Sequence, residues 1–334
     1  MTRSTGHGSG SATDSRRTAP GRRQSAGPAQ RLSRHPAAGM AVGALCVSAS
    51  AVLLGLARTE PGTASFYRCA LALPALLLLA VPEHRREGSP SRGQVGLALL
   101  AGGAFAGDML LWTQAIGEVG AGLSTVLVNV QVVLVPLLAR LIDREPVPRR
   151  FLLWGPVILV GVVLTGGIVE GGASGSDPWW GTLHAVLAAV CYSVFLFLLR
   201  RGGHGGQVRQ PYAVVIASAA VVSLVAGLLR YGMDFTPGRQ VLGRLLAVAV
   251  SSQVVGWLLV ATFSPLLASH VGAVLLLLTP VGAVALGAVV LGERPTLLQL
   301  SGCALILAGA YFAGVREAWP RKRPRRPRGG DGRS

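Results

Sequence analysis

Two long apolar runs separated by a few polar residues constrain this chain more than any other feature. Residues 269–291 and 297–315 are uncharged, and between them stands Gly292-Glu293-Arg294-Pro295. At ~1.5 Å of rise per residue, each run is long enough to cross a ~30 Å hydrocarbon layer as a helix. The polar residues between them then form a tight, hydrated turn. Pro280 interrupts the first run near its middle, which a membrane helix tolerates when neighbours satisfy the freed carbonyl. Gly302 and Gly309 leave one smooth stripe on the second run for close helix packing. The stretch reads as a membrane hairpin.

A weaker copy lies 148 residues upstream. Sliding 269–313 onto 121–165 places Glu293 on Glu145, Gly309 on Gly161, and Ile306-Leu307 on Ile158-Leu159. Apolar run, acidic turn and glycine-spaced run recur in register, a device that secondary transporters share.

Composition excludes the main alternatives. Hydrophobic residues make up 51% of the chain, charged residues only 13%, and mean hydropathy is +0.53. Soluble chains carry roughly 25% charged residues, so a soluble domain is excluded. The net charge of +17 suggests nucleic acid, but its distribution does not. Seven of the 31 Lys and Arg precede Pro36, eight follow Gly314, and most of the rest fall in short gaps between apolar runs. That placement sets topology and forms no phosphate-tracking groove, so no nucleic-acid partner is expected. Cys46, Cys69, Cys191 and Cys303 each sit inside an apolar run without metal-ligand spacing, so no metal, cofactor or disulfide framework is expected.

Residues 1–35 are rich in Gly, Ser, Arg, Thr and Pro and read as a disordered basic tail, as do residues 316–334. Arg16-Arg17 stands too far from the first apolar run for a twin-arginine export signal. Ten spans follow, at about 37–56, 62–81, 94–116, 121–141, 151–168, 179–199, 211–230, 242–263, 269–291 and 297–315. The second, fourth and sixth gaps hold the basic residues, for example Arg85, Arg86, Arg149, Arg150, Arg200 and Arg201. Gaps three and five hold none. The positive-inside rule then puts both tails and those even gaps in the cytoplasm, in the cell membrane. The seventh gap, with Arg230, Arg239 and Arg244, breaks the pattern. Trp179-Trp180 fits an interfacial anchor. The predicted fold is therefore an all-α polytopic membrane protein of ten transmembrane helices. Residues 36–168 and 178–315 form two five-helix repeats, inverted because five is odd.

Ten spans in two halves, with Leu291-Gly292-Glu293-Arg294-Pro295 followed by Gly302 and Gly309, resemble the EamA family of the drug/metabolite transporter superfamily. The run Pro61-Gly62-Thr63-Ala64-Ser65-Phe66-Tyr67-Arg68 resembles that family's second-span signature. The resemblance implies movement of small metabolites such as amino acids, sugars or drugs, often by proton exchange. Two features depart from the pattern: Val132 stands where the repeat would match Pro280, and the first span has no acidic residue.

A charge inside a bilayer costs a few kcal/mol or more, so each is a functional candidate. Arg68 and Asp108 are the two clearly within spans. They sit ~9 and ~14 Å from the same membrane face, by rise per residue. They read either as a structural ion pair or with Asp108 as proton carrier or cation ligand. Asn129, Gln131, Gln253 and Thr279 lie at a similar depth, with Ser48, Ser50 and Ser252, and Tyr192 lies somewhat deeper. Polar groups gathered from several spans suggest a shared wet cavity, although each alone is satisfied by helix-to-helix hydrogen bonding. Trp112 and Trp257 could wall it. His184 and His270 read as interfacial, and Glu145 and Glu293 as turn residues that cap a helix or pair with Arg144 and Arg294.

The expected function is a secondary transporter, an exporter of a small metabolite or drug by alternating access, with proton coupling open. An intramembrane enzyme is the first alternative, but no span carries His-Glu-x-x-His or Gly-x-Ser-x-Gly. A non-transporting receptor or scaffold is the second. The expected partners are the lipid bilayer and a small-molecule substrate, and a homodimer is left open.

Overall fold

A computed structural model describes residues 35–144, 149–165, 177–202 and 207–314. Its helices are numbered in chain order. α1 is Pro36–Ala57, α2 Pro61–Glu87, α3 Arg92–Val119 and α4 Ala121–Asp143. α5 is Arg149–Thr165, α6 Pro178–Gly202, α7 Arg209–Tyr231 and α8 Arg239–Leu266. α9 consists of Ser269–Leu275 followed by Leu278–Leu291, and α10 is Leu297–Gly314. Seven of these, α1–α4 and α6–α8, are long and apolar enough to cross a membrane. α5 runs 17 residues and α9 is interrupted, so these two fall below that length, while α10 is uncharged and predominantly apolar over the whole of its 18 residues. Both tails, Glu145 and the side chain of His270 lie outside the described residues.

Local chemistry sets the helix ends and breaks. Prolines stand at the first turns of α1 and α2, where a missing N–H costs nothing. Ser91 and Gln94 form a reciprocal capping box at the start of α3. α4 breaks at Asn129-Val130 because the Asn129 side chain donates to the Thr125 carbonyl at 2.6 Å. That carbonyl is the one the Asn129 amide would take in a regular helix, so the amide bonds to Val126 O instead, at 3.0 Å. α9 breaks at Leu276-Leu277, where Pro280 cannot donate to Leu276 and Thr279 N takes that carbonyl at 2.9 Å. Upstream by 148 residues, Leu276-Leu277 falls on Val128-Asn129, so both repeats carry an interrupted helix at nearly the same place.

Links between loops sort the ends of the helices into two faces. On one face, Asp234 N donates to Thr63 Oγ1 at 2.8 Å, joining the α7–α8 loop to the start of α2. On that face Glu118, near the end of α3, meets His184 near the start of α6, with Nδ1 and Oε2 2.7 Å apart. Glu293, between α9 and α10, accepts from Ala121 N at 2.7 Å and Gly122 N at 2.9 Å, capping α4 with a carboxylate. On the other face, Glu83 accepts from Val208 N at 2.5 Å and Arg209 N at 2.7 Å, capping α7. Arg201 pairs there with Asp143, joining the ends of α6 and α4. Each of these contacts joins loops of equal parity along the chain, as alternating crossings require.

Helix pairings repeat when the halves are exchanged. α3 packs on α6 as α8 packs on α1, and α4 packs on α6 as α9 packs on α1. α2 packs on α7, α4 on α9, and α5 on α10. The glycine stripe of α10 lies in the last of these pairs. Gly309 faces the Ile158 side chain, and Gly161 faces the Gly302 carbonyl closely enough that a Cβ there would press on it at 2.8 Å.

Candidate functional site

Arg68 sits seven residues into α2 and is only 2% exposed. Its guanidinium is held from two sides. With the Gln253 amide turned oxygen-inward, Oε1 accepts from Arg68 Nε at 2.7 Å and from Nη2 at 3.2 Å. The Trp112 ring lies under the guanidinium, 5.6 Å from Cζ to the centroid, in a cation–π contact. Gln253 belongs to a π-helical stretch of α8, Ala249–Gly256. Such stretches disturb the regular backbone ladder, and the Gln253 carbonyl accepts from Tyr212 Oη at 2.8 Å.

Asp108, in the middle of α3, is 6% exposed. No nitrogen of Arg68 lies within 4.0 Å of its carboxylate, so the ion pair expected from their depths is absent. The physical reason is the arginine's other partners: Gln253 and Trp112 draw the guanidinium away. Asp108 Oδ1, Arg68 Nη1 and the indole nitrogens of Trp112 and Trp257 are all buried without a hydrogen-bond partner. Unpartnered buried polar groups are uncommon and each costs about 1–3 kcal/mol, more when charged. The four residues that carry these groups come together at one place.

That place is a small cavity of about 40 Å³ lined by all four residues. Asn129, Thr279 and Tyr192 line it as well, beside the breaks in α4 and α9. Thr279 Oγ1 donates to Ala44 O at 3.2 Å, tying α9 to α1. Of the residues singled out from sequence, the structure brings together Ser50, Arg68, Asp108, Trp112, Asn129, Tyr192, Trp257 and Thr279. Gln131 and Gln253 do not line the cavity. Gln131 is buried behind Asn129, 3.5 Å from its Oδ1, and Gln253 stands behind Arg68.

Sequence reasoning named Trp112, Trp257 and Tyr192 but missed the phenylalanines beside them. Phe105 lines the cavity and packs edge-on against Trp257 at 5.4 Å, while Tyr192 meets the same indole edge-on at 5.6 Å. Phe195 stacks on Phe105 at 4.2 Å behind it. A helical reading of α3 could have found Phe105, because 105, 108 and 112 fall on one helix face.

Two comparisons place this geometry. The model of the EamA-like transporter family matches residues 37–167 and again residues 179–315. A solved crystal structure, described simply as that of a protein, is similar over 83% of this chain and 96% of its own. It superposes with a TM-score of 0.58 at 18% identity, a likeness of fold alone. No curated protein sequence matches the chain.

Proposed function

This chain belongs to the EamA-like transporter family, a multi-pass membrane transporter of the drug/metabolite type, and from that premise we propose that it exports a small organic solute by alternating access. The observation that carries this reading is the cavity itself. It is lined from helices of both repeats, it lies beside two interrupted helices, and four of its lining residues carry an unpartnered buried polar atom. Interrupted helices at a midplane cavity are where secondary transporters hold their substrates.

The proposed architecture is ten spans in two inverted five-helix repeats. Equal-parity loop contacts and the exchange-symmetric helix pairings support it. The face that holds Glu83, Asp143 and Arg201 is the basic one, so it is assigned to the cytoplasm together with both termini of the chain. The basic loop on the opposite face has a local reason in part. Arg244 donates to the Leu56 carbonyl in the last turn of α1, where a cation meets the negative end of the helix. Transport is in exchange for protons, with Asp108 as the carboxylate on which proton and substrate alternate.

Flux in proteoliposomes under an imposed pH gradient tests the reading. Wild-type protein accumulates a solute that protein carrying Asn129→Leu does not, while both insert equally. Equal accumulation by both would move the substrate site out of this cavity.

A further inference from the structure

We propose that an open pocket on the basic face, between the ends of α2, α7 and α8, binds the phosphodiester head group of an anionic phospholipid. The pocket lies at the helix ends, away from the central cavity, and its ligand does not depend on which solute crosses.

α2 ends at Glu87, α7 begins at Arg209, and Thr262 stands one turn before the end of α8 at Leu266. Between them lies a pocket of about 250 Å³, several times the volume of the central cavity. That is the space of about eight waters at ~30 Å³ each. Its walls are held by reciprocal caps. Glu83 accepts from Val208 N and Arg209 N at the start of α7. In return the Gln207 and Gln210 side-chain amides donate to the Gly88 carbonyl, just past α2, at 3.3 and 2.9 Å. Backbone groups that a helix end leaves open are thus closed from the neighbouring segment, and the two ends are locked side by side.

Two arginines line this pocket, Arg86 from the first repeat and Arg209 from the second. Neither guanidinium has a hydrogen bond or ion pair with any described residue, although Glu83 and Glu87 line the same pocket. Both oxygens of Glu83 are taken by amides, and its charge is offset by the N-terminus of α7. Two cations and the single carboxylate of Glu87 remain, an excess of one positive charge that one phosphodiester balances. The paired N–H donors of arginine match phosphate oxygens, so the residue type fits the group as well as the charge does. Depth selects a lipid as its source. The pocket stands at head-group level on the basic face, where basic pockets between spans take anionic lipids. Deeper along the same helices, Leu78 and Leu79 of α2 and Val255 of α8 are exposed, so apolar surface continues into the membrane for the acyl chains. The positive-inside rule accounts for arginines on this face, but not for one from each repeat around a single pocket.

Full-length protein in dodecylmaltoside is melted against dioleoylphosphatidylglycerol, dioleoylphosphatidylcholine and inorganic phosphate. The expected result is a saturable rise in Tm with phosphatidylglycerol, at least tenfold weaker binding of phosphatidylcholine, and no saturable shift with inorganic phosphate. Arg86→Gln with Arg209→Gln should weaken phosphatidylglycerol binding at least tenfold. Arg92→Gln with Arg140→Gln removes two exposed charges from the same face outside the pocket, and should weaken it less than threefold. Equal weakening in the two double variants would mean diffuse attraction to a basic face and would overturn the proposal. So would phosphatidylcholine that binds as tightly as phosphatidylglycerol, or inorganic phosphate that shifts Tm as strongly, and neither outcome needs a variant. Flux without lipid selectivity would sink this proposal and leave the transport reading standing. Lipid selectivity without flux would do the opposite.

Discussion

Arg68 gives its hydrogen bonds to Gln253 and not to Asp108. The arginine belongs to the first repeat and the glutamine to the second, so this contact ties the two halves together at a buried charge. It fixes where the guanidinium points and leaves the carboxylate of Asp108 open to the cavity.

Gln253→Leu removes the oxygen that accepts from Nε and Nη2. A buried guanidinium without its acceptor is expected to cost about 3 kcal/mol. The expected outcome is a clear fall in Tm, partly recovered in the double variant Arg68→Leu with Gln253→Leu. A single variant as stable as wild type would show that the contact contributes nothing to holding the halves together.

Asp108→Asn keeps the shape of the side chain and removes its charge. Because Oδ1 has no partner, no hydrogen bond is lost, and Tm should stay near wild type or rise. Flux driven by a pH gradient should be abolished, since the group that alternates between proton and substrate is gone. Normal gradient-driven flux would exclude Asp108 from coupling.

Glu293→Ala strips the carboxylate cap from α4, leaving the Ala121 and Gly122 amides without an acceptor. Loss of a helix cap costs about 1–2 kcal/mol, and a carboxylate at a helix N-terminus adds a dipole contribution. Glu293→Gln keeps an acceptor oxygen and should recover part of the loss. Melting temperatures ordered wild type, Gln, Ala are expected, and equal values for all three would refute the capping role.

Arg294 and Arg144 are exposed residues in loops assigned to opposite faces. In a cysteine-free background, a cysteine at 294 should react with a membrane-impermeant reagent added outside intact cells, and one at 144 should not. Labelling of both positions from outside would end the inverted arrangement.

Much of this protein was legible along the chain, because in a bilayer each crossing must satisfy its own backbone and must be apolar for ~20 residues. That local requirement marks α1–α4 and α6–α8 directly, marks the hairpin of α9 and α10 by its polar turn, and betrays the repeat through Glu145 and Glu293. It also makes Arg68 and Asp108 conspicuous, since charges are rare where they lie. What the chain could not decide is who meets whom. Depth along a helix follows from counting residues, but rotation about its axis and the choice of neighbour follow from packing. Counting put Arg68 and Asp108 at similar depths and so suggested a pair. The π-helical turn in α8 and the ring of Trp112 drew the arginine elsewhere. Gln253 and Gln131 were legible as buried polar residues, yet only tertiary structure moved them behind the cavity wall. Phe105 shares a face of α3 with Asp108 and Trp112, but only Trp257 coming across to meet it showed that it belongs to the cavity wall.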